Sequence, residues 1–326
     1  MTEIRSIVKQ VLSQLGASRE ARYYLTQYAE DELNFAVIKI GGALIENQLE
    51  PLADSLAFLH NLGLMPIVLH GAGPQLDAAL LAANVPTVKH EGLRVTTPEV
   101  MEVARPVIYR TNRQLVTALE KEGVRAEGIQ HGVFECDYLD KDGLGLVGDI
   151  QRVDLEAIRD AVAGGQMPVV ACLGESKTGQ VLNVNADFAA RELIWTLNPH
   201  KIIFLTETGG LLDEAGRVIS AISLRTDYEW LIQQPWVHSG MKLKLEQIEQ
   251  ILSKLPETAS VSITSVDSLA RELFTHRGAG TLIRKGERIL EFDQFDDSSR
   301  ERARYLLETS FSRKLKTDYF DQLPIE

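Results

Sequence analysis

The chain has 326 residues, of which 44% are hydrophobic and 25% charged, and this composition is typical of a soluble globular protein with one large α/β domain or two domains. Its net charge of −12 argues against non-specific binding to nucleic acid, which needs Lys and Arg against phosphates. The N-terminus carries charges where a signal peptide needs an apolar run, and no apolar stretch approaches the ~20 residues of a membrane span. We therefore expect a cytoplasmic protein without a membrane partner.

The cysteine and histidine pattern gives no sign of a metal site. Cys136 and Cys172 lie far apart in the sequence, which favours two free thiols in a reducing compartment. The seven His residues form no pair at zinc-ligand spacing. No residue is predicted to ligate a metal directly.

Residues 1–30 are predicted to be helical. Apolar residues from Ile4 to Leu15 recur at helical spacing and form one stripe, and Gly16 can end that helix. The stripe precedes the first strong strand, so it needs a partner, which is either the main domain or another subunit.

From residue 35 onward, β-rich apolar runs alternate with helical segments. Strands are predicted at Phe35–Ile40, Met65–His70, Pro168–Leu173, Lys201–Thr206, Val261–Thr264 and Thr281–Arg284. Helices are predicted at about 50–62, 74–84, 98–122, 154–164, 185–196, 239–253 and 266–275. This alternation indicates a mainly parallel sheet covered by helices on both faces, with hairpins near 130–150 and 208–220.

The last forty or so residues differ in sequence pattern from the rest. A helix is predicted near 297–312, and residues 286–326 are too few to bury a core alone. They are either a tail packed on the main domain or the start of a further domain.

Two glycine-rich turns follow the first two strands: Gly41 and Gly42 after Lys39, and Gly71 and Gly73 after His70. In an open α/β sheet, ligands bind beyond the carboxyl ends of the strands, where glycine lets backbone N–H groups approach an anion. Either loop alone is a common turn. The fingerprints of dinucleotide-binding domains, P-loop NTPases and protein kinases do not occur, which disfavours those three classes.

Two later segments add polar groups at predicted helix starts. Asn183, Asn185 and Asp187 precede or open one helix; one of them can be an N-cap, but three exceed what a cap requires. Lys242 and Lys244 open another helix, where a cation opposes the helix dipole. The second placement is explained either by a bound anion or by solvated lysines.

Together these segments resemble the amino-acid kinase family. The matching segments occur in that family's order within residues 35–285, and they are Val37–Gly42, His70–Gly73, Gly92–Thr96, Leu182–Asp187 and Gly240–Lys244. The third and fourth are similar to acetylglutamate kinases in particular. The run from His70 to Asp77 is similar to a subfamily in which the kinase domain is fused to an acetyltransferase.

The resemblance implies an α/β fold: a three-layer α/β/α sandwich around a largely parallel sheet. Within residues 31–285, the N-terminal half would bind N-acetyl-L-glutamate and the C-terminal half would bind ATP. With Mg²⁺, the γ-phosphoryl group would pass to the side-chain carboxylate, an early step of arginine biosynthesis.

The resemblance also assigns roles to individual residues. Lys39 would bridge phosphoryl oxygens, Lys244 would hold the ATP phosphates, and Asp187 would orient both ammonium groups. The other expected catalytic groups are the backbones of Gly41 and Gly42. Expected substrate contacts are Gly71, Ala72, Gly73, Arg94 (to the α-carboxylate), Asn183 and Asn185. The nucleotide would also contact Thr206, Gly209, Gly210 and Leu211.

Some features leave alternatives open. Ala72 replaces the middle glycine found in single-function acetylglutamate kinases, and an acetyltransferase domain is expected to be missing or truncated. The chain could instead be a catalytically silent, arginine-binding regulatory domain, but retention of Lys39, Asp187 and Lys244 favours an enzyme. Arg94 argues against aspartate, glutamate or nucleotide substrates. We expect a homo-oligomer, dimeric or tetrameric, with arginine as a feedback inhibitor and residues 1–30 as a possible link between subunits.

Overall fold

The computed structural model describes residues 35–237, 239–274, 279–286, 297–311, 314–316 and 319–322. The helices predicted within residues 1–30 lie outside these ranges. The chain divides into two compact units, Met1–Gly286 and Glu287–Glu326.

The first unit contains fourteen strands among its described residues. They are β1 (Ala36–Ile40), β2 (Ile67–His70), β3 (Lys89–His90), β4 (Leu93–Arg94), β5 (Ala126–Ile129), β6 (Phe134–Tyr138), β7 (Gly148–Val153), β8 (Met167–Ala171), β9 (Leu173–Glu175), β10 (Val181–Asn183), β11 (Lys201–Leu205), β12 (Ala221–Ser223), β13 (Ser260–Thr264) and β14 (Thr281–Arg284). Eight of them form the central sheet in the order β12-β14-β13-β11-β1-β2-β8-β5. Every neighbouring pair in this sheet is parallel except β13–β14. The predicted, largely parallel sheet is confirmed.

The described α-helices of this unit are α1 (Gly42–Asn47), α2 (Leu49–Asn61), α3 (Gly73–Ala82), α4 (Pro98–Lys121), α5 (Glu156–Ala163), α6 (Ala186–Leu197), α7 (Leu224–Leu231), α8 (Ser239–Lys254) and α9 (Leu269–Phe274). The start of α4 shows why the sequence folds this way. Thr97 caps it by accepting a hydrogen bond from the amide of Val100 at 3.3 Å, and Pro98 occupies the first turn.

Helices cover both faces of the central sheet. On one face, Val37 of β1 belongs to a buried cluster with Leu193 of α6 and Ile248 of α8. On the other, Ile38 of β1 belongs to a buried cluster with residues of α2 and α4. Because adjacent strand residues point to opposite faces, one continuous apolar strand supplies both layers. The fold is therefore the predicted α/β/α sandwich.

Smaller sheets carry the remaining strands. The hairpin predicted near 130–150 is confirmed as β6–β7, which belongs to a four-stranded sheet in the order β10-β9-β6-β7. The segment near 208–220 forms only an isolated antiparallel bridge, Leu212 to Val218. The single strand predicted at Pro168–Leu173 is two strands, β8 and β9, interrupted at Cys172.

The second unit contains the predicted C-terminal helix. This helix, α10, spans Asp297–Phe311 and is followed by a short 3₁₀ turn at Tyr319–Gln322. Arg304 donates hydrogen bonds to the carbonyls of Leu315 and Lys316, both at 3.2 Å, and Glu308 accepts one from the Leu315 amide. Over both units, each helix that is described is too short or too polar to span a bilayer.

Candidate active site

The two glycine loops lie side by side because β1 and β2 are adjacent parallel strands whose carboxyl ends meet at one edge. The Gly71 amide donates to the Ile40 carbonyl at 3.0 Å, and Gln75 Nε2 donates to the Gly42 carbonyl at 2.7 Å. A Cβ atom at Gly42 would lie 2.6 Å from Gln75 Oε1 and 3.0 Å from Ala72 Cα. Glycine at position 42 is thus needed for the close approach of the two loops.

Ala72 does not distort the second loop. Its backbone has φ −139° and ψ 31°, which an L-residue adopts without the strain of a positive φ. Its side chain is buried, and Ala72 is the N-cap residue of α3. The loop therefore accommodates alanine at this position without a strained backbone.

An ion pair connects the first loop's strand to α6. Asn185 caps α6, its Oδ1 accepting from the amide of Asp187 at 2.8 Å and of Phe188 at 3.3 Å. This cap places Asp187 in the first turn, where its Oδ1 lies 2.7 Å from Lys39 Nζ. The Lys39 side chain is only 9% exposed and the Asp187 side chain 17%, so water screens this pair weakly.

Lys244 joins these two charges from α8. Burial alone would raise the pKa of Asp187, but the charges of Lys39 and Lys244 outweigh it and hold that pKa below its ordinary value. Burial, reinforced by repulsion from Lys39 and opposed by Asp187, lowers the pKa of Lys244 to about 8. The buried Lys39 and the partly buried Lys244, both acting on one carboxylate, leave an excess of positive charge, which suits a polyanion.

A cavity of about 210 Å³ opens beside the second glycine loop. Of the predicted substrate-binding residues, it is lined by Gly71, Ala72, Gly73, Arg94, Asn183 and Asn185, together with Asp187. Asn183 Nδ2 donates to the buried Thr96 hydroxyl at 3.1 Å, which orients its carboxamide. Asn185 lines the cavity, but its side-chain oxygen is used for the helix cap.

Arg94 has two side-chain partners that the sequence pattern does not predict. Its guanidinium donates from Nη2 to Asp77 Oδ1 and from Nη1 to the Thr87 hydroxyl. Lys89, which also lines the cavity, binds the other oxygen of Asp77 at 3.1 Å. The sequence signal that could have pointed to Asp77 was its spacing from Gly73, which is about one turn along α3.

A second cavity of about 400 Å³ lies toward α8. It is lined by Thr206, Gly210, Leu211, Lys244 and Asp187 among the predicted residues, and additionally by Glu207, Thr208, Gly240, Met241 and Ile263. Gly209 is not among its lining residues: its φ of +69° shapes the turn, and a Cβ atom there would lie 3.3 Å from Ser265 Cβ. Asp187 lines both cavities, so ligands in the two would meet at this residue.

His70 is a buried residue that contacts the second glycine loop. It is fully buried, and its two ring nitrogens lie 3.1 Å from Asn112 Nδ2 and 3.3 Å from the Gly71 carbonyl. Burial lowers the pKa of His70 to about 4, although the bond to Gly71 opposes this shift. The ring is therefore neutral near neutral pH, and it can accept from Asn112 while donating to Gly71.

Comparison with known proteins identifies the family that the chain resembles. Residues 34–261 match the model of the amino acid kinase family. An acetylglutamate kinase of Xanthomonas campestris is 50% identical over 307 residues, which are 94% of this chain and 72% of that protein. The mitochondrial protein ARG5,6 of Candida albicans is 45% identical over 295 residues, covering 90% of this chain and 34% of that protein.

A solved structure shows the same fold. The N-acetylglutamate synthase of Neisseria gonorrhoeae, complexed with coenzyme A and N-acetyl-glutamate, superposes with a TM-score of 0.75 at 22% identity. The superposition covers 94% of this chain and 72% of that one. The same synthase has also been solved with coenzyme A and L-arginine.

Proposed function

The chain belongs to the amino acid kinase family, and from this premise we propose that it transfers the γ-phosphoryl group of ATP to the side-chain carboxylate of N-acetyl-L-glutamate, in arginine biosynthesis. A relative at 50% identity over nearly the whole chain carries the name of that activity. The family and the acetylglutamate-kinase group that the sequence predicted are both confirmed by these matches.

The position of Asp187 is the observation that carries the proposal. Its carboxylate lines the cavity beside the second glycine loop and also the cavity beside Lys244. With Lys39 Nζ at 2.7 Å, it holds an ammonium group at the junction of the two cavities. A phosphoryl group in transit between an ATP and a carboxylate would lie at this junction.

The chemistry requires two anions to approach each other in line, so catalysis consists of positioning and neutralisation of charge. Lys39 is fixed by its ion pair and would stabilise the oxygens of the group in transit. Lys244 would neutralise the phosphates that remain on the nucleotide. The N-terminus of α3, which has no side-chain cap, adds backbone N–H donors on the acceptor's side.

The acceptor's other end faces Arg94 and Lys89, which line the first cavity. A guanidinium presents a planar fork that matches a carboxylate, and a nearby ammonium adds a second charge. These two cations would hold the α-carboxylate of N-acetyl-L-glutamate, leaving its side-chain carboxylate directed at Lys39.

Magnesium enters this proposal as part of the nucleotide substrate. In the described ranges, no group of three or more His, Cys, Asp or Glu side chains is placed to hold a metal ion. Mg²⁺ is commonly bound through substrate phosphates and water rather than by an all-protein cage. The residues at the site therefore fit MgATP, whose remaining negative charge Lys244 would meet.

The direct test is to incubate the protein with MgATP and N-acetyl-L-glutamate and to trap the acyl phosphate with hydroxylamine. We expect hydroxamate from the wild type, none from Lys39→Ala, and none when aspartate or glutamate replaces the acetylated substrate. A folded wild-type protein that binds arginine but forms no hydroxamate would contradict the proposal and favour a regulatory domain.

A further inference from the structure

The carboxylate of Asp77 joins two cations at one wall of the first cavity. Its Oδ1 accepts from Arg94 Nη2 and its Oδ2 accepts from Lys89 Nζ at 3.1 Å. Arg94 and Lys89 line the cavity, whereas Asp77 is not among its lining residues, and its side chain is 44% exposed. The carboxylate therefore reaches both cations from outside the cavity.

Thr87 provides a second tie from outside the cavity. Its hydroxyl accepts from Arg94 Nη1, and Thr87 is likewise not a lining residue. A guanidinium has five N–H donors, so these two bonds leave three for a ligand. The Arg94 side chain, 7% exposed, is thus fixed by outer partners while part of its fork remains available inside.

Helix α3 connects this wall to the reacting end of the cavity. It begins at Gly73 of the second glycine loop, and Asp77 follows four residues later, a rise of about 6 Å along the helix. A rigid helical turn therefore sets the spacing between the glycine loop and the two cations. In a ligand with two carboxylates, that spacing would select the length of the carbon chain between them.

From this geometry we infer that Asp77 is a positioning residue, which holds Arg94 and Lys89 for the α-carboxylate and so tunes the site to the chain length of the acetylated dicarboxylate. The inference rests on the proposed function. The carboxylate stays ionised at neutral pH, because Arg94 and Lys89 outweigh the effect of burial and keep the pKa of Asp77 below its ordinary value. If Asp77 instead competed with the substrate for Arg94, its removal would strengthen substrate binding, which is the opposite sign.

The test compares Asp77→Ala, Asp77→Asn and Thr87→Val with wild type, measuring kcat, the KM for each substrate, and calorimetric binding of N-acetyl-L-glutamate. Without the Asp77 carboxylate, Arg94 and Lys89 are no longer held in place for the substrate, so we expect Asp77→Ala to raise the KM for N-acetyl-L-glutamate by about 10- to 100-fold, the factor that corresponds to one hydrogen bond to a charged group. The kcat and the KM for MgATP should change by less than about threefold, since Asp77→Ala removes no charged group from the junction of the two cavities. Asp77→Asn keeps an acceptor for Arg94, so its KM for N-acetyl-L-glutamate should lie between those of wild type and Asp77→Ala. The same is expected of Thr87→Val.

Chain-length selectivity is measured with N-acetyl-L-aspartate, which is one methylene shorter. We expect the preference for N-acetyl-L-glutamate, expressed as a ratio of kcat/KM values, to fall in Asp77→Ala. Asp154→Asn is the matched control, because Asp154 accepts a hydrogen bond from Arg152 at 3.1 Å and lines neither cavity. It should behave as wild type.

An unchanged or lowered KM in Asp77→Ala, in an active enzyme, would overturn the inference and leave the proposed function standing. So would a fall in kcat with the KM unaltered. If the melting temperature shows that Asp77→Ala is poorly folded, the near-isosteric Asp77→Asn decides by the same criteria. A wild type that neither binds nor phosphorylates N-acetyl-L-glutamate would overturn both proposals.

Discussion

At the scale of single residues, the site is defined by three charges held near one another inside the protein. Lys39 and Asp187 form a direct ion pair of 2.7 Å, and Lys244 acts on both through its charge. A buried ammonium next to another ammonium is unfavourable until an anion arrives. Burial is the main cause of the lowered pKa of Lys244, with repulsion from Lys39 adding to it, and nucleotide phosphates would oppose both effects.

Lys244 predicts how nucleotide binding depends on pH. Its pKa is about 8 without ligand, against 10.5 ordinarily, so the ammonium is lost above about pH 8 unless phosphates restore it. Binding of MgATP should then take up a proton, and the KM for MgATP should rise about tenfold between about pH 7 and about pH 9. Lys244→Arg stays charged over this range and should flatten the profile. A flat wild-type profile would contradict the assignment.

The same shift affects the stability of the ligand-free protein. Because the folded pKa of Lys244 is lowered, the unfolded chain binds more protons between about pH 8 and 10.5. The contribution of this residue to the free energy of unfolding should therefore become more favourable as the pH rises through that window.

The sequence could predict those residues whose place follows from strand ends and helix starts. Lys39 lies one residue before the end of β1 and Asp187 in the first turn of α6, and the structure brings them together. Lys244 lies in the second turn of α8, which begins at Ser239, rather than at the start of the helix as predicted. Asp77 and Thr87 were missed because their roles depend on how a helix and a loop fold against Arg94. Asn112 was missed for the same reason: its contact with His70 spans 42 residues of sequence.

At the scale of elements, the site depends on adjacent parallel strands that deliver two loops to one edge. α1 and α3 both begin within these loops, and Gly42 lets the loops touch. Long, strongly periodic segments were predicted within a few residues. Short elements such as α1, β5, β12 and α7 were not, because three to eight residues carry too little periodic signal.

Gly42 and its neighbour offer a matched pair of variants. A methyl at Gly42 would lie 2.6 Å from Gln75 Oε1 and 3.0 Å from the backbone of the other loop, whereas at Gly41 it meets nothing within 4 Å. We expect Gly42→Ala to lower the free energy of unfolding by about 1–3 kcal/mol, as overpacking does. Gly41→Ala should cost little, because its φ of −71° suits alanine. Equal denaturant midpoints for the two variants would contradict this reading.

At the scale of the whole molecule, both cavities belong to the first compact unit. Their lining residues run from His70 to Ile263, and the two main buried clusters end at Ile283 and Phe274. All of these described lining residues precede Glu287, where the second unit begins. The residues that line the cavities and the residues of the C-terminal unit are therefore two separate sets.

Removal of residues 287–326 should accordingly leave the kinase chemistry intact. We expect the truncated chain to form hydroxamate with a kcat within about threefold of the full chain, because no aimed charge is lost. The melting temperature of both chains serves as the control for folding. A truncated chain that is folded but inactive would show that the C-terminal unit contributes to the site.

The homo-oligomer, the arginine effect and the linking role of residues 1–30 stay predictions from the sequence. If a dimer or tetramer is joined through that segment, removing the segment should lower the number of subunits, since an apolar stripe buried between subunits stabilises their association. Light scattering of the full chain and of a variant lacking residues 1–30, each with and without arginine, tests this. An unchanged number of subunits would remove the segment from the oligomer contact.

The most direct test of the central claim is hydroxamate formation by Asp187→Asn, because Asp187 lines both cavities and holds Lys39. We predict a fall in kcat of about 10²–10³, with binding of MgATP and of N-acetyl-L-glutamate changed by much less, as expected when one aimed charge is lost from a preorganised site. Glu192→Gln on the same helix, which breaks a 2.9 Å ion pair with Arg191 away from both cavities, should retain the wild-type rate. An Asp187→Asn enzyme that turns over like wild type would contradict the account.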